Sequence, residues 1–341
     1  MILVVPESHG PSDPRPPAPA PAPGSVRRTS SFDTFRTGDL LGPSVTEARA
    51  RDLVVDADGT RRVHAEATVT VELDGFAHNV AAIVAEPPLG GLDALVGHVI
   101  GAGFRKRLDG AVGLGGSGDL RYFLLDDLPG AILVSGYALL HADVVDGIPP
   151  EAPEHAVEEY LNLRADLCAG WARDGTMLRL IGEHHRSPVP LGPPAPPVTA
   201  PDDPGAFHPL ADLPTQAMRR IRRVDVGGAQ GDVHAVDAFF RDTHHDVGGP
   251  ETIVHEYSVE LAVDAATRTV VEVVARPDVL PWVECPSALV SAQRLVGVPV
   301  ADLQTFVRRE LTGVSTCTHL NDVLRCLADV EHLLDLLPGT D

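Results

Sequence analysis

The side chains with most to offer chemically stand at Cys317-Thr318-His319. An apolar helical pattern starts there, with Ser315, Thr316 and Thr318 as caps. A thiol at that point faces unpaired N–H groups and the positive end of the helix dipole, which favours the thiolate. His319 lies two residues on, a spacing that does not bring two helical side chains together, so the pair is not a nucleophile–base couple by spacing alone. The same N–H groups suit a ligand carboxylate or phosphate. The plain alternative is that Cys317 is buried packing and His319 a second cap.

Upstream stand Asp242-Thr243, His244-His245-Asp246, His255-Glu256 and Glu284-Cys285-Pro286. A catalytic site built from them would use Cys317 as nucleophile, His319 or His255 as acid and base, and Asp242 or Glu256 as the orienting carboxylate. A second expectation is zinc. His255, Cys285, Cys317 and His319 are the right types for a four-coordinate site, with His244 and His245 as further candidates, although C-x-H is not a zinc-finger spacing. A binding module without chemistry is the rival, and no nucleotide loop, G-x-S-x-G elbow or H-E-x-x-H helix favours a known catalytic class.

The elements that must position these residues read as strands followed by helices. Val233 to Phe240 alternates apolar and polar residues, and Tyr257 to Val263 and Val270 to Ala275 flank a turn at 264–269, a hairpin pattern. Arg223 to Val226 adds a strand. Helices are expected from Ser287 to Gly297, over 302–311, and from Thr318 through the leucines to Leu337. The class is α+β, an antiparallel sheet followed by helices.

That pattern occurs twice. Sliding the chain by 190 positions aligns 48–87 with 238–277 without a gap, matching Arg51-Asp52, Gly59, Glu66 and Pro87 to Arg241-Asp242, Gly249, Glu256 and Pro277. Two degenerate copies packed as a pseudo-duplicate are therefore expected. The copies differ where chemistry is at stake. Val54-Val55 become His244-His245, and Ala65 becomes His255. Matching Leu125-Asp126-Asp127 to Leu320-Asn321-Asp322 sets Tyr122 opposite Cys317 and Leu124 opposite His319. The expected organisation is a disordered Pro/Ala-rich tail (1–26), a first copy (27–185), a Pro-rich linker (186–214) and a second copy carrying the site (215–341).

V-H-E-Y at 254–257, E-C-P at 284–286 and T-C-T-H-L-N-D at 316–322 resemble the bacterial domain-of-unknown-function family 2889 over about residues 220–335, with G-x-x-x-C-T-H-L at 313–320 as the most specific element. The resemblance implies conserved-type positions at Asp242-Thr243, His255-Glu256, Cys285-Pro286 and Cys317 to Leu320. It carries no settled activity, and this chain departs from the simple form by its extra N-terminal copy.

Composition narrows the class. At 44% hydrophobic and a formal charge of −21, the chain can build a core and lacks the basic surface that nucleic acid requires. Arg27-Arg28, Arg219-Arg220 and Arg222-Arg223 read either as an anion contact or as a solvated strand edge. Trp282 reads as core filling before pocket wall. No targeting segment or long uninterrupted apolar stretch is evident, and the four cysteines are expected as thiols in the cytoplasm. The functional expectation is a cytoplasmic enzyme acting on a small anionic metabolite, or else a non-catalytic ligand-binding module, with no nucleic-acid or membrane partner.

Overall fold

A computed structural model describes residues 2–75, 78–115, 117–144 and 152–339. Eight strands form one antiparallel sheet: β1 (Ser25–Arg36), β2 (Ser44–Val55), β3 (Arg61–Asp74), β4 (Asn79–Glu86), β5 (Ala217–Gly227), β6 (Val233–His245), β7 (Glu251–Asp264) and β8 (Val270–Val279). Their order is β4-β3-β2-β1-β5-β6-β7-β8. The fold is α+β, and the two segments expected as separate copies are hydrogen-bonded into a single sheet through the β1–β5 seam.

Order and register correspond across that seam. β2 shifts register between Asp52 and Leu53, and β6 between Asp242 and Thr243. Arg51 faces Glu66 as Arg241 faces Glu256, and Asp52 faces Ala65 as Asp242 faces His255. At the seam itself Arg27 lies opposite Asp225, and Asp33 opposite Arg219. Both pairs form bonded ion pairs, Arg219 reaching the two Asp33 oxygens at 2.7 Å each. We propose a duplication of one unit as the origin of this correspondence.

The basic runs are not a solvated edge. Arg27, Arg28, Arg219, Arg220, Arg222 and Arg223 are all buried, and β1 and β5 are the two central strands. Burial is tolerated because each guanidinium meets a carboxylate or carbonyl oxygen. Alternate residues face opposite sides of a strand, so Arg28, Arg220 and Arg222 point to one face, and Arg27, Arg219 and Arg223 to the other.

The first face carries the helices: α1 (Phe104–Val112), α2 (Leu120–His141), α3 (Glu154–Arg164), α4 (Thr176–His184), α5 (Leu303–Glu310), α6 (Thr318–Cys326) and α7 (Val330–Asp335). Asp119 caps α2, its carboxylate accepting from the Arg121 and Tyr122 N–H groups. By length and hydropathy α2 passes for a membrane span, yet 78% of its most apolar window is buried and its Asp126 and Asp127 are paired with arginines. It is the central core helix. The segment expected as a helix at 287–297 is a 3-10 run, Cys285–Leu295, and the expected long C-terminal helix breaks at 327–329 between α6 and α7.

The second face is covered by the segments expected as tail and linker. Ser12 bridges Val279, Ala18 bridges Thr199, and Pro194 bridges Thr252. Arginine donors meet carbonyls there: Arg241 bonds Pro196 and Arg15, Arg27 bonds Ala206, and Arg51 bonds Gly205. Residues 12–22 are thus irregular chain laid on the sheet, preceded by a 3-10 turn at Pro6–Ser8. A Pro-rich stretch cannot form a helix, so its backbone carbonyls lack helical partners, and those of Arg15, Pro196, Gly205 and Ala206 accept from arginines instead.

Candidate functional site

Asp242, His255 and His319 come together under the sheet. The antiparallel register of β6 and β7 sets Asp242 directly opposite His255, and the first turn of α6 lowers His319 onto them. His255 Nδ1 stands 3.3 Å from Asp242 Oδ2. The two imidazoles stack, with centroids 3.6 Å apart and planes 20° from parallel. One donor atom from each of the three residues falls within 4.8 Å of the other two. His319 Nε2 is enclosed without a hydrogen-bond partner, although the residue as a whole is partly exposed. Burial, with His255 alongside, pushes the His319 imidazole down to about 3, so it is neutral at ordinary pH.

Behind this cluster lies a buried ionic network. Arg220 donates Nε and Nη2 to the two Asp242 oxygens at 2.8 and 3.2 Å, and Nη1 to Asp322 at 3.0 Å. Arg325 joins Asp322 at 2.7 Å and Asp126 at 2.8 Å, and Arg222 meets Asp127 at 2.8 Å. Burial alone would raise the Asp242 carboxyl, but Arg220 and the hydrogen bond from His255 hold it below the usual carboxylate range. Asp242 is therefore a fixed anion whose direction is set by Arg220.

The other expected site residues fall elsewhere. Glu256 follows His255 on a strand and so faces the far side of the sheet, where it pairs with Arg241 and accepts from the Arg15 N–H at 2.5 Å. It cannot orient His255 or His319. Cys317 is buried beside Tyr257, Cys168 and Cys285, and among the described residues neither Cys285 nor Cys317 joins the three-donor group. The Cys2His2 set is thus divided between two places. The expected thiolate is also corrected. Burial, with Cys168 nearby, pushes the Cys317 thiol up to about 11 despite Tyr257 and the N–H groups of Leu320 and His319. Cys317 stands at the start of α6, as expected, but it is itself the N-cap position in place of Ser315, Thr316 or Thr318, no side chain caps the helix, and desolvation outweighs the dipole. His244 is buried against Tyr137 and His141, whereas His245 bonds the Leu213 carbonyl. Trp282 is core, as read.

A cleft of about 650 Å³ opens between α1–α2 and α5–α6, lined by Arg105, Lys106, Arg308, Thr316, Thr318 and Asn321, among others. The sequence reading passed over Arg105-Lys106-Arg107, although Lys106 is the one lysine in the chain and was a visible signal.

Residues 218–332 match the model of a family described as protein of unknown function, DUF2889. The DUF2889 segment runs from β5 to α7 and so contains Asp242, His255 and His319, while Arg105 and Lys106 lie outside it. No curated protein and no solved structure matches the chain.

Proposed function

We propose that the chain is a small-molecule-binding protein whose ligand is an anion held in the cleft between α1–α2 and α5–α6. One observation carries this reading: the cleft is lined by Arg105, Lys106 and Arg308 in a chain of formal charge −21. Its volume lies in the range of small-molecule sites. Arg105 is already engaged by Asp126, and Arg308 stands 3.5 Å from Asp109. Lys106 is exposed and forms no ion pair among the described residues, so its charge is the one left over for a ligand. On the opposite wall Thr318 offers a hydroxyl, while Thr316 and Asn321 beside it donate to the Gly313 and Leu311 carbonyls and hold that wall in place. A thiol-enzyme reading has less support, since Cys317 is buried and protonated and Glu256 is on the other face of the sheet. Four free cysteines suit a reducing compartment, and a cytoplasmic location belongs to the same proposal.

Calorimetric titration of the full chain with inorganic phosphate, malonate and citrate tests it. Lys106→Glu should weaken binding of the best of these at least tenfold, while Arg107→Glu, next door and outside the cleft lining, should leave it unchanged. Absence of binding by all three anions, or equal behaviour of the two variants, would overturn the reading.

A further inference from the structure

The pair of stacked histidines is not needed by the fold. At the matching register position of the first half, Asp52 faces Ala65 and is held by Arg28 at 2.7 Å through both oxygens, as Arg220 holds Asp242. The buried Arg–Asp clamp therefore stands there without an imidazole opposite the carboxylate. In the second half two imidazoles stand beside it: His255 Nδ1 has the Asp242 carboxylate alone to meet, at 3.3 Å, and His319 Nε2 is enclosed with no hydrogen-bond partner. A buried polar group left unpaired is destabilising, a cost that Leu at the place of His319 would not carry.

We propose that Asp242, His255 and His319 form a binding site for a first-row transition-metal dication. Two imidazoles and one carboxylate are donors that zinc, iron, copper and nickel accept and that magnesium and calcium do not favour. Arg220 sits behind the carboxylate and fixes its direction, the role that outer hydrogen bonds play at metal sites. His255 is held by the sheet. His319 lies in the first turn of α6 and is partly exposed, which gives an ion an approach. Nitrogen lone pairs lie in the ring plane, so the stacked rings direct theirs side by side rather than to one point. Binding thus entails a turn of the His319 ring, and its Nε2 has no partner to give up.

The test uses the untagged full chain, stripped with chelator and titrated with Zn²⁺ by calorimetry. His255→Ala and His319→Leu are the informative variants, because Ala65 stands at the corresponding register position and Leu124 at the corresponding place in the sequence match. Asp242→Asn is a poor choice, since it strips Arg220 of its partner. Wild type should bind one Zn²⁺ that both variants lose or hold at least tenfold more weakly, with circular dichroism showing them folded. His141→Ala, which removes a histidine outside the cluster, should bind as wild type. No Zn²⁺ on wild type, or the same binding by wild type, His255→Ala and His319→Leu, would overturn the site. If both variants unfold, retention of the zinc equivalent in the milder His319→Gln does the same, and its loss supports the site.

Discussion

A buried histidine carries a pH signature as well as a contact. His208 comes from the linker and lies on the outer face of the sheet, with Nε2 2.8 Å from Ser31 Oγ and Nδ1 2.9 Å from Thr29 Oγ1. Burial, reinforced by Arg51, Arg49 and Arg219, pushes it down to about 3 from an ordinary 6.5. The neutral form is the one the fold holds. The unfolded chain then binds the extra proton between those values, so the stability is fully present above about pH 6.5 and is lost as pH falls toward 3. The slope from one such group reaches about 1.4 kcal/mol per pH unit. His208→Gln keeps a donor and an acceptor without a titrating ring. Its unfolding free energy should fall by about 2 kcal/mol less than that of wild type between pH 7 and pH 5, as read from urea midpoints. Equal losses in the two proteins would mean that His208 is protonated in the fold. At this scale the sequence was informative about identity and poor about environment. Cys317 was recognisable at a helix start, yet its dryness depends on Cys168, Tyr257 and Cys285, which the chain brings from three other regions.

Among the elements, α2 is fixed by how closely it approaches the network. A Cβ on Gly130 would come within 2.2 Å of Arg220 Nη1 and 2.4 Å of Asp322 Oδ2, whereas one on Gly136 in the same helix would meet nothing within 4 Å. Helix propensity alone favours Ala over Gly by about 1 kcal/mol at either place. Gly136→Ala should therefore stabilise the protein slightly, while Gly130→Ala should cost about 2–3 kcal/mol net as the Arg220–Asp322 pair is pushed apart. Chemical denaturation of both variants checks the contrast, and a stabilised Gly130→Ala would contradict this close approach. The strands were legible from alternation and from the matched residues, because a half-buried strand repeats every second residue. The face on which each residue lands was legible too, and joining His255 with Glu256 in one site overlooked it. The helical half was harder. Cys285–Leu295 offers Ser287 as a cap in sequence and has apolar content, but no side chain caps it and it forms a 3-10 run, since packing against the sheet rather than propensity decides so short a segment.

On the scale of the whole molecule, the sequence match at 190 positions foretold a correspondence but not how its members meet. A seam between two strands far apart in the chain leaves no local pattern. The prolines concealed the rest, because a Pro-rich stretch reads as tail or linker whether it floats or roofs a sheet. The seam itself implies a rule of assortment. Its clamps, Arg27 with Asp225 and Asp33 with Arg219, read the same from either side, but at the midpoint Ser30 lies opposite Arg222. A β5 strand meeting a second β5 in this register would set Arg222 against Arg222, two like charges in a buried place. Co-expressed 1–214 and 215–341 should accordingly elute as a mixed pair in size-exclusion chromatography, with no dimer of 215–341, and a stable dimer of that fragment would deny the rule. Relieving the clash by Arg222→Ser should let the fragment accept a copy of itself. One serine would then be what makes the chain's second half choose its own first half over a stranger's second.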